Sequence, residues 1–217
     1  VAYVDGFVIA VPGTHKPKFI EHASTADPVF IDMGATRVFE CWGADVKRGQ
    51  TTDFQGAVAA QEGEEIVFSW IEWPDKESRT AAYARMMAED FSDPRMDQET
   101  NPMPFDGKRM IYGGFTPFVT QGRAGAGEYV QGFLLPVPKA RREDYAKMAE
   151  EAWPFFQRHG ALSVVEAWAD DVPHGKQTDF WRAVKAGEDE TVVFSYMTCP
   201  TARPARRRGR PCRTIPK

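Results

Sequence analysis

The chain has 217 residues, 42% hydrophobic and 12% aromatic, which is ample apolar material for one or two packed cores and unlike the composition of a disordered segment. Its formal net charge of −4 hides an asymmetry: residues 198–217 carry seven Lys or Arg and no acid, so 20 basic and 31 acidic residues remain before them, a net of about −11. A body of that sign repels phosphate and argues against nucleic acid as a partner.

No apolar run approaches the roughly 18 residues of a membrane span, and no basic-then-apolar leader opens the chain, so no membrane association is expected and the expected location is cytoplasmic. Cys41, Cys199 and Cys212 have no metal-ligand spacing, and no disulfide framework is expected.

Residues 3–70 overlay residues 129–196 without a gap at a constant offset of 126, with about 29 of 68 positions identical. The repeat is too long for a solenoid unit and matches a small domain, so the chain reads as two copies of one module.

Copy one opens on Tyr3-Val4-Asp5-Gly6-Phe7-Val8-Ile9-Ala10-Val11, with Tyr3, Phe7, Ile9 and Val11 on one strand face and smaller residues on the other. Val11-Pro12, like Val137-Pro138 in copy two, ends this strand ahead of a helix. In copy two the helix shows Tyr145, Met148, Ala149, Ala152, Phe155, Phe156 and His159 recurring at three and four. Pro28 and Pro154 are expected to kink or split the two helices.

Gly34-Ala35 and Gly160-Ala161 then lead into second strands over 37–42 and 163–168. After a loop, a shared Thr-Asp-Phe-x-x-Ala-Val-x-Ala segment begins at Thr52 and Thr178, where Thr before Asp could cap a short helix. Third strands follow over 65–73 and from 191 onward. Copy one alone continues, with a helix after Pro74-Asp75 presenting Ala82, Tyr83, Met86 and Met87, then a strand over 109–119. The order is β-α-β-β-α-β, a ferredoxin-like split unit, and residues 121–128 read as a Gly-rich linker.

The residues Tyr3-Val4-Asp5-Gly6-Phe7, Glu40-x-Trp42, Thr52-Asp53-Phe54, Val67-Phe68-Ser69-Trp70, Glu72-Trp73-Pro74-Asp75 and the run from Met103 to Phe115 resemble the bacterial YbaA-like family, domain of unknown function 1428. Copy two resembles it through Ser195. Members of that family look like dimeric α/β barrels in which two ferredoxin-like sheets face each other, and their biochemical function is not established. The resemblance therefore implies an α+β fold of two modules, 1–120 and an incomplete 129–198, forming a barrel-like pair within one chain. Homo-oligomerisation is left open.

After Met197 copy two departs from copy one, reading Thr198-Cys199-Pro200-Thr201-Ala202-Arg203-Pro204. Joining the third base of each codon to the first two of the next, from Cys199, permits Pro, Asp, Arg, Ala, Thr and Arg where copy one has Pro74 to Arg79. Loss of one base from a Trp codon would give the Cys. Residues 199–217 are thus expected to be out-of-frame translation of a second helix, with a real basic tail as the alternative. A copy so shortened would expose a sheet edge and an apolar face, and lower stability.

The four histidines lack ligand spacing, no metal site is expected, and no cofactor is expected. Ser69 and Ser195 lie inside strands without a nucleophile elbow, and Gly113-Gly114 reads as a bulge. The candidate residues are Glu40, Trp42, Asp53, Arg109 and Tyr112 in copy one, with Glu166, Trp168 and Asp179 in copy two, taken as lining a cleft between the sheets. Glu40 and Glu166 share a face with Trp42 and Trp168, where a carboxylate beside an indole could act as a general acid or base. The plainer role is a strand-edge acid paired to Arg37 or Arg109, and helix capping is the plainer role of Asp53 and Asp179. The function expected is a small-molecule-binding or interaction module. The alternative is a cofactor-independent enzyme of oxygenase or isomerase type using a cleft carboxylate, which rests on fold analogy.

Overall fold

The computed structural model describes residues 3–201. The elements are β1 (Tyr3–Pro12), α1 (Lys16–Asp32), β2 (Arg37–Trp42), α2 (Phe54–Ala57), β3 (Glu64–Trp73), α3 (Lys76–Met86), β4 (Ile111–Gly122), β5 (Tyr129–Pro138), α4 (Arg142–Arg158), β6 (Ser163–Asp171), α5 (Phe180–Ala183) and β7 (Glu190–Cys199). Most of the stretch expected to be out of frame lies outside the described residues, although Cys199 closes β7 opposite Tyr129. Among the described residues no helix is long and apolar enough to cross a membrane.

The seven strands form a single antiparallel sheet in the order β2-β3-β1-β4-β6-β7-β5, curled into a half-barrel. β4 joins the copies, pairing with β1 on one side (Val4 opposite Phe115) and with β6 on the other (Thr120 opposite Val165). Its ladder on β6 slips between Gly114 and Phe115, where the glycine pair allows an irregular strand.

Alternation sends one set of side chains inward and the other outward. Inward from β1 point Val4, Gly6, Val8 and Ala10, which are small because large rings arrive from the opposite half. A Cβ on Gly6 would stand 2.5 Å from the Phe194 ring, and one on Gly132 would stand 2.7 Å from the Phe68 ring. Phe68 and Phe194 stack at 4.7 Å, and Trp70 stacks on Tyr196 at 4.1 Å. Each of these pairs joins residues 126 apart, so the inner core is made of repeat positions meeting their own counterparts.

The outward face is covered by helices. Tyr3, Ile71 and Trp73 pack under α1 and α3 with Ala82, Tyr83 and Phe30, while Ile9, Val11 and Val67 pack with Phe19 and Ala23 of α1. In the second half, α4 alone among the described residues covers the outward face, over Val164, Met197 and Cys199 with Trp153. Fewer side chains are enclosed there, and Met148, Phe155 and Leu162 are exposed.

Neither proline divides its helix: α1 runs through Pro28 and α4 through Pro154. The carbonyls that lose a donor belong to Ser24 and Glu150, both exposed, so water can take the place of the missing N–H.

α3 is fixed to the second half by charge. Arg79 donates to Asp5 at 2.9 Å and to Asp171 at 2.5 Å, Lys76 lies 2.7 Å from Asp170, and the Tyr3 hydroxyl donates to Asp170 at 3.0 Å.

Candidate functional site

The period of two places Val38, Glu40 and Trp42 on the outward face of β2, beneath α1, and Arg37, Phe39 and Cys41 on the inner face. β6 repeats this with Val164, Glu166 and Trp168 outward and Val165 and Ala167 inward. The expectation that Glu40, Trp42, Glu166 and Trp168 line the space between the sheets is therefore corrected: they line the space between sheet and helix. The expected pairing of Glu40 with Arg37 or Arg109 is also corrected. Arg37 is held by Glu72, and Arg109 by Glu64 through two bonds of 2.6 and 2.7 Å, with Asp106 and the Ala59 carbonyl beside it.

Asp53 and Asp179 are N-caps, accepting from the backbone N–H of Gly56 at 2.6 Å and of Arg182 at 2.7 Å. The aspartates, rather than the threonines before them, carry the caps. Tyr112 is half exposed on β4, away from Glu40. Trp168 meets Phe118 edge-on at 5.5 Å, with the Arg142 guanidinium 5.7 Å from its ring.

The two repeated glutamates stand in different surroundings. Each faces a serine across the ladder, Ser69 for Glu40 and Ser195 for Glu166. In the second half Glu166 is buried and accepts a 2.9 Å hydrogen bond from the Tyr145 hydroxyl, with Trp153 closing the helix–sheet gap. Burial raises its pKa, and the bonds from Tyr145 and Ser195 draw it back. In the first half the counterpart of Tyr145 is Phe19, which has no hydroxyl to donate, and the counterpart of Trp153 is Asp27.

The smaller aspartate leaves a recess of about 320 Å³ lined by Lys16, Phe19, Ile20, Ala23, Ser24, Asp27, Glu40 and Trp42. Phe19 meets Trp42 edge-on at 5.9 Å, and the Lys16 ammonium stands 5.1 Å from the Trp42 ring centre. Burial pushes the Glu40 carboxyl up to about 8, with the nearby charge of Asp27 adding and a hydrogen bond with Ser69 opposing. Burial alone pushes Asp27 up to about 7. Glu40 is nonetheless more than a third exposed through the mouth of the recess. Both carboxyls are thus shifted toward the protonated form near neutrality, on the wall of a recess open to solvent.

A second cavity, of about 410 Å³, opens beside Arg37, Glu72, Arg123 and Tyr196. Two of its charges neutralise each other. Arg37 grips Glu72 through two bonds of 2.7 Å, and Glu72 also accepts from Trp70 at 3.1 Å and Tyr196 at 3.4 Å. The corresponding positions of the second half hold Ser163 and Thr198, joined by a neutral 2.7 Å hydrogen bond. Among the described residues no group of three or more His, Cys, Asp or Glu could hold a metal.

Asp27 and Glu72 are the site residues that sequence reasoning missed. Asp27 was detectable as an acid at the i+4 position from Ala23 on the Phe19-Ala23 stripe of α1.

The family described as "Protein of unknown function (DUF1428)" matches the chain at residues 2–107 and again at 128–208. The uncharacterised protein YbaA of Escherichia coli strain K12 is 55% identical over 119 residues, covering 55% of this chain and 98% of the relative. The protein of the same name from Shigella flexneri matches equally. Among solved structures, a "Putative monooxygenase" from Fusobacterium nucleatum superposes with a TM-score of 0.51 at 8% identity, covering 90% of this chain and 75% of that one. At that identity the likeness is one of fold.

Proposed function

Because the chain belongs to the DUF1428 family, a group defined by sequence rather than by an activity, we propose its function from geometry: it is a small-molecule-binding protein whose working site is the recess between α1 and β2. The supporting observation is the contrast between the copies. One glutamate is capped by Tyr145 and covered by Trp153, while its repeat faces an open recess with a second carboxyl and, among the described residues, no cation bonded to it. The recess lies at the small end of ligand-site volumes and has the usual make-up of apolar walls with a few polar groups. A protonated Glu40 offers a hydrogen bond to a ligand oxygen, and Trp42 and Phe19 offer a surface for a flat apolar body.

The architecture that holds this site is proposed to be two ferredoxin-like modules facing each other about a pseudo-twofold axis, the second described as far as β7. The reciprocal contacts of Phe68 with Phe194 and of Gly6 and Gly132 with those rings support this reading.

The test rebuilds the closed site of the second half in the first. Saturation-transfer NMR with phenol, catechol and indole at pH 6.5 should show contact with the wild-type protein and lose it in Phe19→Tyr/Asp27→Trp. Equal signals in both proteins would refute the recess as the site.

A second reading, a cofactor-independent oxygenase or isomerase, draws on the same carboxyl, whose raised pKa lies in the range of an efficient general acid or base at neutral pH. The fold shared with the Fusobacterium protein named as a monooxygenase agrees with it by analogy alone. Loss of turnover in Glu40→Gln with fragment binding intact would favour it.

A further inference from the structure

The two halves of the sheet are unequal, and the inequality has a shape. β1 lies between β3 and β4, whereas among the described residues its repeat β5 pairs with β7 alone. β6 lies between β4 and β7, whereas its repeat β2 pairs, among the described residues, with β3 alone. One strand position, adjoining both β5 and β2, is therefore vacant among the described residues, and it corresponds to the place that β4 fills between β1 and β6. Burial records the difference: Val4 and Val8 are fully buried and Tyr3 is 1% exposed, while Val130 and Leu134 are only half-buried and Tyr129 is 40% exposed.

Resting on the paired-module reading above, we propose that the gap between β5 and β2 is a strand-binding slot, and that its occupant is an extended peptide segment with the side-chain pattern of β4, added antiparallel to both edges. The occupant's chemistry follows from what β4 does in the filled position. A Cβ on Gly113 would stand 2.8 Å from Val172, and one on Gly114 would overlap the Tyr3 hydroxyl. The repeat partners of Val172 and Tyr3 are Val46 and Tyr129, both present at the slot. The incoming strand must therefore carry two adjacent small residues there. Phe115 fills the core beside Phe180 and Phe194, so a large apolar residue must follow them.

The offset of 126 also fixes the register. Residues matching Gly114 and Phe115 should lie opposite Gln131 and Val130, and one matching Thr120 opposite Phe39. The charge of Asp45, beyond the end of β2, reaches Tyr129 of β5, much as Tyr3 meets Asp170 across the filled position. Unpaired edges of this kind bind extended peptides through main-chain hydrogen bonds, with side-chain pockets selecting the sequence.

The test is hydrogen exchange of the full chain with and without a synthetic peptide of residues 109–122. A control peptide carries Gly113→Val and Gly114→Val. At a peptide concentration about 100 times its Kd, edge amides of both β5 and β2 should exchange about 100-fold more slowly, and the control should have no effect. No protection, protection of one edge only, equal protection by the control, or edges already slow in the free protein would each overturn the slot. Slow exchange of β3 and β7 in the free protein keeps this result separate from the underlying reading: if those strands exchange fast, the paired architecture itself fails, and the slot with it.

Discussion

Phe68 and Phe194 occupy the same position of a repeat with an offset of 126, and their rings stack with centroids 4.7 Å apart and planes 8° from parallel. Each ring also fills the space left by a glycine of the opposite half. Truncating either, in Phe68→Ala or Phe194→Ala, is expected to cost about 3–5 kcal/mol in urea unfolding. Because the two share one contact, the double variant should cost less than the sum. Additive losses would mean that the rings act independently.

Arg37→Ala is expected to be strongly destabilising, by about 3–5 kcal/mol, because it strands Glu72, which is 2% exposed, without its cation. The second half shows a neutral solution at the same two positions. Arg37→Ser with Glu72→Thr should therefore recover most of the loss, and denaturant midpoints of the three proteins decide the matter.

The recess carboxyls should make stability fall as pH rises. With the folded values of Glu40 and Asp27 raised to about 8 and about 7, the native chain binds more protons than the unfolded one between ordinary carboxylate values, about 4, and those values. Stability is then highest on the acid side of that window and lost across it. Glu40→Gln should flatten the slope and raise Tm at pH 8.5, with little change at pH 5. A variant whose Tm tracks the wild type throughout would contradict the shift.

Ala59 and Lys185, repeat partners at the ends of α2 and α5, hold φ values of 48° and 52°. Side chains disfavour this left-handed backbone. Ala59→Gly and Lys185→Gly should each stabilise by about 0.5–1 kcal/mol, measurable by thermal denaturation.

The strands of both copies were legible in the sequence because their apolar residues alternate and their ends carry Gly, Pro or Asp. Legible too was the sharing of one face by Glu40 and Trp42. Which face looks inward was not legible, since β2 carries aromatic residues on both, Phe39 inward and Trp42 outward. The partner of Glu40 escaped for a different reason. Looking for residues common to both copies finds the shared glutamate but passes over Asp27, whose counterpart is Trp153, and the recess arises from that difference. The charged pair Arg37 and Glu72 escaped likewise, being Ser163 and Thr198 in the repeat.

The most direct measurement is a carbon-13 NMR titration of the glutamate and aspartate carboxyls, with Glu40→Gln and Asp27→Asn assigning the signals. The Glu40 carboxyl is expected to titrate near 8, and to move toward the ordinary range in Asp27→Asn. A Glu40 signal titrating with the surface glutamates would mean that the recess holds no proton at neutral pH, and both the ligand-donating and the acid–base roles of Glu40 would fall.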